Sequence, residues 1–201
     1  MKLLDLVVGP NGAGKSTIVR AFIEPKTPRA VFVNADVIAR ERWPHAPEEH
    51  SYEAAQVAAR TRETLIGQGR SFIAETVFSH PSKLDLIHRA KASGYTVVLH
   101  VVLVDPDTSV ARVAARVAAG GHDVPEDRIR GRHERIAPLV CTAIGLVDEA
   151  FVYDNTRIEG PRRLAWFAGG EPIGPITWPE WVAPEFHWMM RSSPRSLKLR
   201  T

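Results

Sequence analysis

The residues Gly9-Pro10-Asn11-Gly12-Ala13-Gly14-Lys15-Ser16-Thr17 carry the spacing G-x-x-x-x-G-K-S, after an apolar run and before a helical pattern. A phosphate-binding loop requires that context, not the string alone. Gly9, Asn11, Gly12, Ala13 and Gly14 would form the cradle. The glycines let backbone N–H groups turn toward phosphate oxygens, and the following helix adds its partial positive charge. Lys15 is spaced to reach the β- and γ-phosphates, Ser16 to ligate a bridging magnesium ion, and Thr17 to contact the α-phosphate. The ligand class this predicts is ATP or GTP with Mg2+.

Two carboxylates follow at strand ends. Asp36 closes Phe32-Val33-Asn34-Ala35-Asp36, and Glu75-Thr76 closes Ile73-Ala74-Glu75-Thr76. In an open parallel sheet, ligands bind beyond the carboxyl ends of the strands, so both residues should face the crevice that holds the γ-phosphate. Asp36 there could accept the proton of an attacking hydroxyl; as the bland alternative it caps the next short helix. Glu75, with Thr76, could hold the acceptor or act on magnesium through water, or Glu75 could simply form a salt bridge.

Arg112, Arg116, Arg128, Arg130 and Arg132 flank the turn Gly120-Gly121-His122-Asp123-Val124-Pro125. Arginine is a planar, permanently charged fork suited to the charge that spreads over the γ-oxygens during transfer, so this segment reads as a closing lid. Arg116 and Arg132 are the expected site residues, and some of the five simply solvate helix faces. His122 is open between contacting substrate and capping a helix at the hinge. Asn155, in Tyr153-Asp154-Asn155-Thr156, is open between touching the base and closing the strand with an Asx turn. His45, His50, His88 and His187 lack ligand spacing, and no metal is expected on them.

Absences narrow the class. No Asn-Lys-x-Asp base-reading motif of a GTPase occurs, and no Leu-Ser-Gly-Gly-Gln signature of an ATP-binding cassette. A compact kinase remains, supplying position, charge neutralisation and a base for a hydroxyl acceptor. The reading from another class is a nucleotide-dependent regulatory protein whose basic segments contact RNA or a partner.

The elements that must position these residues are legible as periodicity. Continuous apolar, β-branched runs at Leu3–Val8, Ala30–Val33, Ser71–Ala74, Tyr95–Val104 and Ala150–Tyr153 predict strands covered on both faces. Helices are predicted from Lys15 to before Pro25, from Ser51 as N-cap, from Pro81 to Gly94, over Ser109–Ala119 and over Pro125–Val147. The fold class is α/β: a doubly wound sheet of about five parallel strands with helices on both faces, and an arginine-rich helical lid over about 109–135. Residues 1–160 form the kinase core. Residues 161–201 form a Trp- and Pro-rich extension, with an edge strand near Leu164–Ala168, packing for Trp178, Trp181 and Trp188, and a basic tail containing Arg191, Arg195, Lys198 and Arg200.

At 201 residues, 44% hydrophobic and 24% charged, the chain can bury one core. A net charge of +3 suits anionic ligands without demanding nucleic acid, which is not an expected partner. One cysteine, Cys141, excludes an intramolecular disulfide and fits a reducing cytoplasm. No apolar stretch is long enough for a membrane span, and the N-terminal run reads as a strand rather than a leader.

Together these motifs resemble the zeta toxin family of P-loop kinases, over roughly Leu3 to Thr156. The phosphate loop, Asn34-Ala35-Asp36, Glu75-Thr76, the Gly-Gly-His-Asp-Val-Pro turn between Arg116 and Arg132, and Asp154-Asn155 occur in the family's order, in a compact member. The resemblance implies an ATP-dependent kinase acting on the 3′-hydroxyl of the sugar in UDP-N-acetylglucosamine and related nucleotide sugars, with an antitoxin as a possible protein partner. It implies Lys15 and Ser16 as phosphate and magnesium groups, Asp36 as base, Glu75 as acceptor-binding carboxylate, and Arg116 and Arg132 as transition-state arginines.

Overall fold

Strand β1 (Leu3–Val8) is buried along almost its whole length, as its unbroken apolar run requires. It forms the middle of a sheet in the order β2-β3-β1-β4-β5-β6-β7. β2 is Val31–Asn34, β3 Phe72–Thr76, β4 Thr96–Leu103 and β5 Glu149–Asp154; these run parallel with β1. β6 (Arg162–Ala168) and β7 (Glu171–Pro172) turn back antiparallel and extend the same sheet. The structure, a computed structural model, describes residues 1–119 and 124–188. The expected hinge Gly120-Gly121, His122, and the basic residues Arg191, Arg195, Lys198 and Arg200 lie outside the described residues.

Helix α1 (Lys15–Ile18) leaves the phosphate loop and continues as a π turn over Val19–Ile23 and a 3-10 turn over Glu24–Lys26. Pro25 is tolerated there because it stands at the start of its own turn, where an N–H is not needed. α2 (Ala35–Arg42) and α3 (Ser51–Gly67) connect β2 to β3. Ser51 is the first helical residue and not the expected cap; His50 takes the cap position and stacks on Trp43, with centroids 4.7 Å apart. α4 is Ser82–Ala92, closed by Gly94 at φ 77°. α5 (Pro106–Ala118) begins three residues earlier than the apolar period suggests. Asp105 accepts from the Asp107 and Thr108 N–H groups, and Pro106 fits the first helical position. α6 is Glu126–Ile144 and α7 Pro184–Trp188.

The larger core lies between the sheet and α3, α4 and α6, and a smaller one packs α1 and its π turn against Val7, Ile73 and Val102 on the other face. After residue 160 the buried anchors are Leu164, Ala165 and Phe167 on β6 and, beyond the sheet, Val182 and Phe186; Trp178 and Trp181 pack partly buried against the same core, with the Trp178 indole nitrogen itself buried. The side chain of Trp188 lies outside the described residues. Among the described residues no helix is long and apolar enough to cross a membrane.

Candidate functional site

β1 ends at Val8, and its neighbours β3 and β4 leave in opposite directions along the sheet, which opens a crevice above the strand ends. The phosphate loop occupies it. Gly9, Gly12 and Gly14 have φ of 151°, 75° and 81°, values that L side chains rarely adopt. A Cβ on Gly9 would stand 2.1 Å from the Val102 carbonyl oxygen, backbone that cannot swing aside. Gly9→Ala is therefore expected to destabilise the fold by about 3 kcal/mol or more. A denaturation midpoint equal to that of the unaltered chain would contradict this.

Lys15 is buried, and its Nζ donates to the Pro10 carbonyl at 3.0 Å. Burial holds its pKa below the ordinary lysine value; Glu75 and Asp36 pull it up, while Arg116 and Arg132 push it further down. Beside it the Ser16 hydroxyl donates to Glu75 Oε2 at 2.8 Å, which ties the start of α1 to the end of β3. Thr17 lines the same cleft.

Asn34, and not Asp36, caps α2: its Oδ1 accepts the N–H of Asp36 at 2.7 Å and of Val37 at 3.3 Å. This leaves the Asp36 carboxylate, in the first helical turn, open to the cleft. Lys15, Ser16, Thr17, Asp36, Glu75, Thr76 and Arg116 thus line one cavity of about 380 Å³ with Asn11, Gly12 and Gly14. Phe78 roofs the end of β3 in a left-handed conformation, φ 63° on a buried non-glycine residue.

Arg132 is held beside the cavity instead of lining it. Its Nη1 donates to Asn11 Oδ1 at 2.6 Å, so α6 is fastened to the phosphate loop. Burial lowers its pKa first, with Arg135 and Arg128 adding and Asp36 opposing, yet a guanidinium keeps its charge. Asn155 also serves the loop: its amide nitrogen donates to the Ala13 carbonyl at 2.8 Å, directly beneath Gly14.

Sequence reasoning missed several residues here. Arg112 clamps the loop's rear, donating from Nη1 to the Asn155 carbonyl at 2.8 Å and from Nη2 to that of Thr156 at 3.1 Å. Ser109 donates its hydroxyl to the Asn11 carbonyl. Arg62 on α3 and Lys83 on α4 also line the cavity. A signal for Arg62 existed: it continues the buried stripe Ala54, Ala58 at four-residue spacing, where a cation has no packing reason to be. Arg112 carried none that separates it from the neighbouring arginines.

For magnesium, the hydroxyl and carboxylate oxygens of Ser16 and Glu75 are hard donors in contact with one another, the set this ion takes. Among the described residues no group of three or more His, Cys, Asp or Glu could hold a metal alone. The fit is therefore to an ion shared with nucleotide phosphates and water.

Residues 1–161 match the family model described as Zeta toxin. An uncharacterized protein of Haemophilus influenzae is 30% identical over 126 residues, 62% of this chain and 88% of that protein. Among solved structures, one from the AvrRxo1-ORF1:ORF2 complex with ATP superposes with a TM-score of 0.67 at 19% identity, covering 100% of this chain and 66% of that one. The chain spans less than two thirds of that longer relative. One from the PezAT chromosomal toxin-antitoxin system of Streptococcus pneumoniae gives 0.62 at 13% identity, covering 95% and 84%. At these identities the likeness to both structures is one of fold.

Proposed function

The chain belongs to the zeta toxin family, and from that premise we propose that it transfers the γ-phosphoryl group of ATP to a hydroxyl of a nucleotide sugar such as UDP-N-acetylglucosamine. Family and fold make it a P-loop enzyme of the kinase type; the acceptor and the residue roles are our reading. The observation that carries it is the convergence of Lys15 and Ser16 with Asp36 and Glu75 on one cleft.

In this reading the loop N–H groups, Lys15 and Thr17 hold the triphosphate, with Lys15 against the β- and γ-oxygens. Ser16, with Glu75 behind it, would hold magnesium, which when bound neutralises phosphate charge. Asp36 takes the proton of the attacking hydroxyl, and Glu75 and Thr76 orient the acceptor. Arg116, already on the cleft, and Arg132, beside it on Asn11, face the charge that spreads over the γ-oxygens. Asn155 contributes by supporting the loop backbone under Gly14. His122, outside the described residues, is proposed as an acceptor contact on the lid. Residues 1–160 are proposed as the catalytic unit, with 161–201 as an extension. The ATP complex and the toxin-antitoxin system among the superposing structures support ATP as donor and an antitoxin protein as a partner. The single, partly buried cysteine is compatible with the cytoplasm as location.

Incubation of the protein with ATP, magnesium and UDP-N-acetylglucosamine is expected to add the mass of one phosphate to the sugar nucleotide. The increment on a different hydroxyl compound, and on no sugar nucleotide, would reassign the acceptor. ATP bound but transferred to no hydroxyl at all would overturn the kinase reading.

A further inference from the structure

Arg62 and Lys83 come from different helices, α3 and α4, to line the cleft that also holds the phosphate-loop residues Asn11, Gly12 and Gly14. Both also line a second hollow of about 160 Å³ that runs on past Ser82, Leu86 and Arg89. The two cations therefore stand at the neck between two compartments. The first contains Asp36 and Glu75; the second contains none of the phosphate-loop residues.

Neither cation makes a hydrogen bond or ion pair among the described residues. The neighbouring carboxylate of Glu63 is engaged by Arg89 at 3.0 Å on the rim. Burial lowers the pKa of Lys83, and the facing Arg62 lowers it further; burial likewise leads for Arg62, with Glu63 opposing and Arg89 adding. Lys83 also sits in the first turn of α4, where the helix dipole disfavours a cation. Two half-buried like charges without partners are unfavourable in the empty protein, and an anion between them removes the penalty.

We propose that Arg62 and Lys83 form an anion subsite in the acceptor half of the cleft, which takes a phosphate group carried by the acceptor itself. The inference rests on the kinase reading of this cleft. The donor phosphates have their own cations in Lys15, Arg116 and Arg132, so this pair is surplus to binding ATP. Arginine supplies a two-toothed fork and lysine a point charge, the combination that fits phosphate oxygens. The neck position fixes the shape of the molecule: its reacting hydroxyl points toward Asp36 and Glu75, its phosphate lies at the neck, and any further moiety enters the second hollow.

Calorimetric titration of the full chain, with ADP saturating the phosphate loop, tests this with four probes: UDP-N-acetylglucosamine, UDP, N-acetylglucosamine 1-phosphate and N-acetylglucosamine. At least one phosphate-bearing probe is expected to bind, and the neutral sugar not to. For the probe that binds, Arg62→Gln and Lys83→Gln are each expected to weaken affinity by about 10- to 100-fold, with ADP affinity unchanged and Lys83→Arg largely restoring binding. Binding of UDP would place the source in a nucleotide diphosphate, and binding of the sugar phosphate alone in a simpler ester. Equal binding of the neutral sugar, unaltered affinity in both variants, or no binding of any phosphate probe would overturn the subsite. Failure of ADP itself to bind would instead strike at the kinase reading, so the two failures are distinguishable.

Discussion

Lys15→Ala is expected to lower phosphoryl transfer by about a thousandfold or more, to the limit of detection in a single-turnover assay with γ-labelled ATP. The ammonium is buried at the base of the loop, where it donates to the Pro10 carbonyl. Around it stand two carboxylates that favour its charge and two arginines that oppose it, while burial holds its pKa down before nucleotide arrives. In the proposed mechanism a γ-phosphate entering this poorly solvated space meets the lysine as its principal point charge. Alanine leaves no group that can take its place, because Arg132 is tied to Asn11 and Arg116 approaches from α5. Stability should move the other way. A lysine whose folded pKa is depressed carries its full burial penalty at any pH below that folded value, and the penalty fades as pH rises toward the unfolded value. The nucleotide-free variant is therefore expected to melt no lower than the unaltered chain at neutral pH. A variant that melts much lower would mean Lys15 is a structural residue; one that transfers phosphate at the ordinary rate would remove it from the mechanism.

Asp36→Asn is expected to reduce turnover by about 100- to 10,000-fold while leaving ATP affinity within about threefold. The substitution is nearly isosteric, and the α2 cap is untouched because Asn34 makes it. What changes, in the proposed mechanism, is the capacity to accept a proton from the acceptor hydroxyl. Asp36 also supports the charge on Lys15, so a second cause of lost turnover must be separated. Loss through Lys15 would show as weakened nucleotide binding, measured by fluorescence titration, whereas loss of a base would leave binding intact. Normal turnover would place the base elsewhere, with Glu75, already bonded to Ser16, the next group to test.

Much of the fold was legible because its signals are local. β1 was read at Leu3–Val8, and the other parallel strands within two residues at either end, since a strand buried on both faces must be continuously apolar. β7 was not, because two residues have no period. The start of α5 was recoverable from Asp105-Pro106 but was masked by the apolar run after it. Side-chain partners are a different matter. The choice between Asp36 and Asn34 as the cap turns on which oxygen reaches two particular N–H groups, and both residue types are suited to it.

The sequence by itself determined that a phosphate loop follows a buried strand and that two carboxylates lie at or just past the ends of other strands. Those are consequences of spacing and periodicity along a short stretch of chain. Only the tertiary structure decided that Asn155 and Arg112 brace the loop, that Arg132 rests on Asn11, and that Arg62 and Lys83 line the same cleft. Those pairings join residues far apart in the chain. They are set by how α3, α4, α5 and α6 pack on the sheet, and no local pattern records that packing.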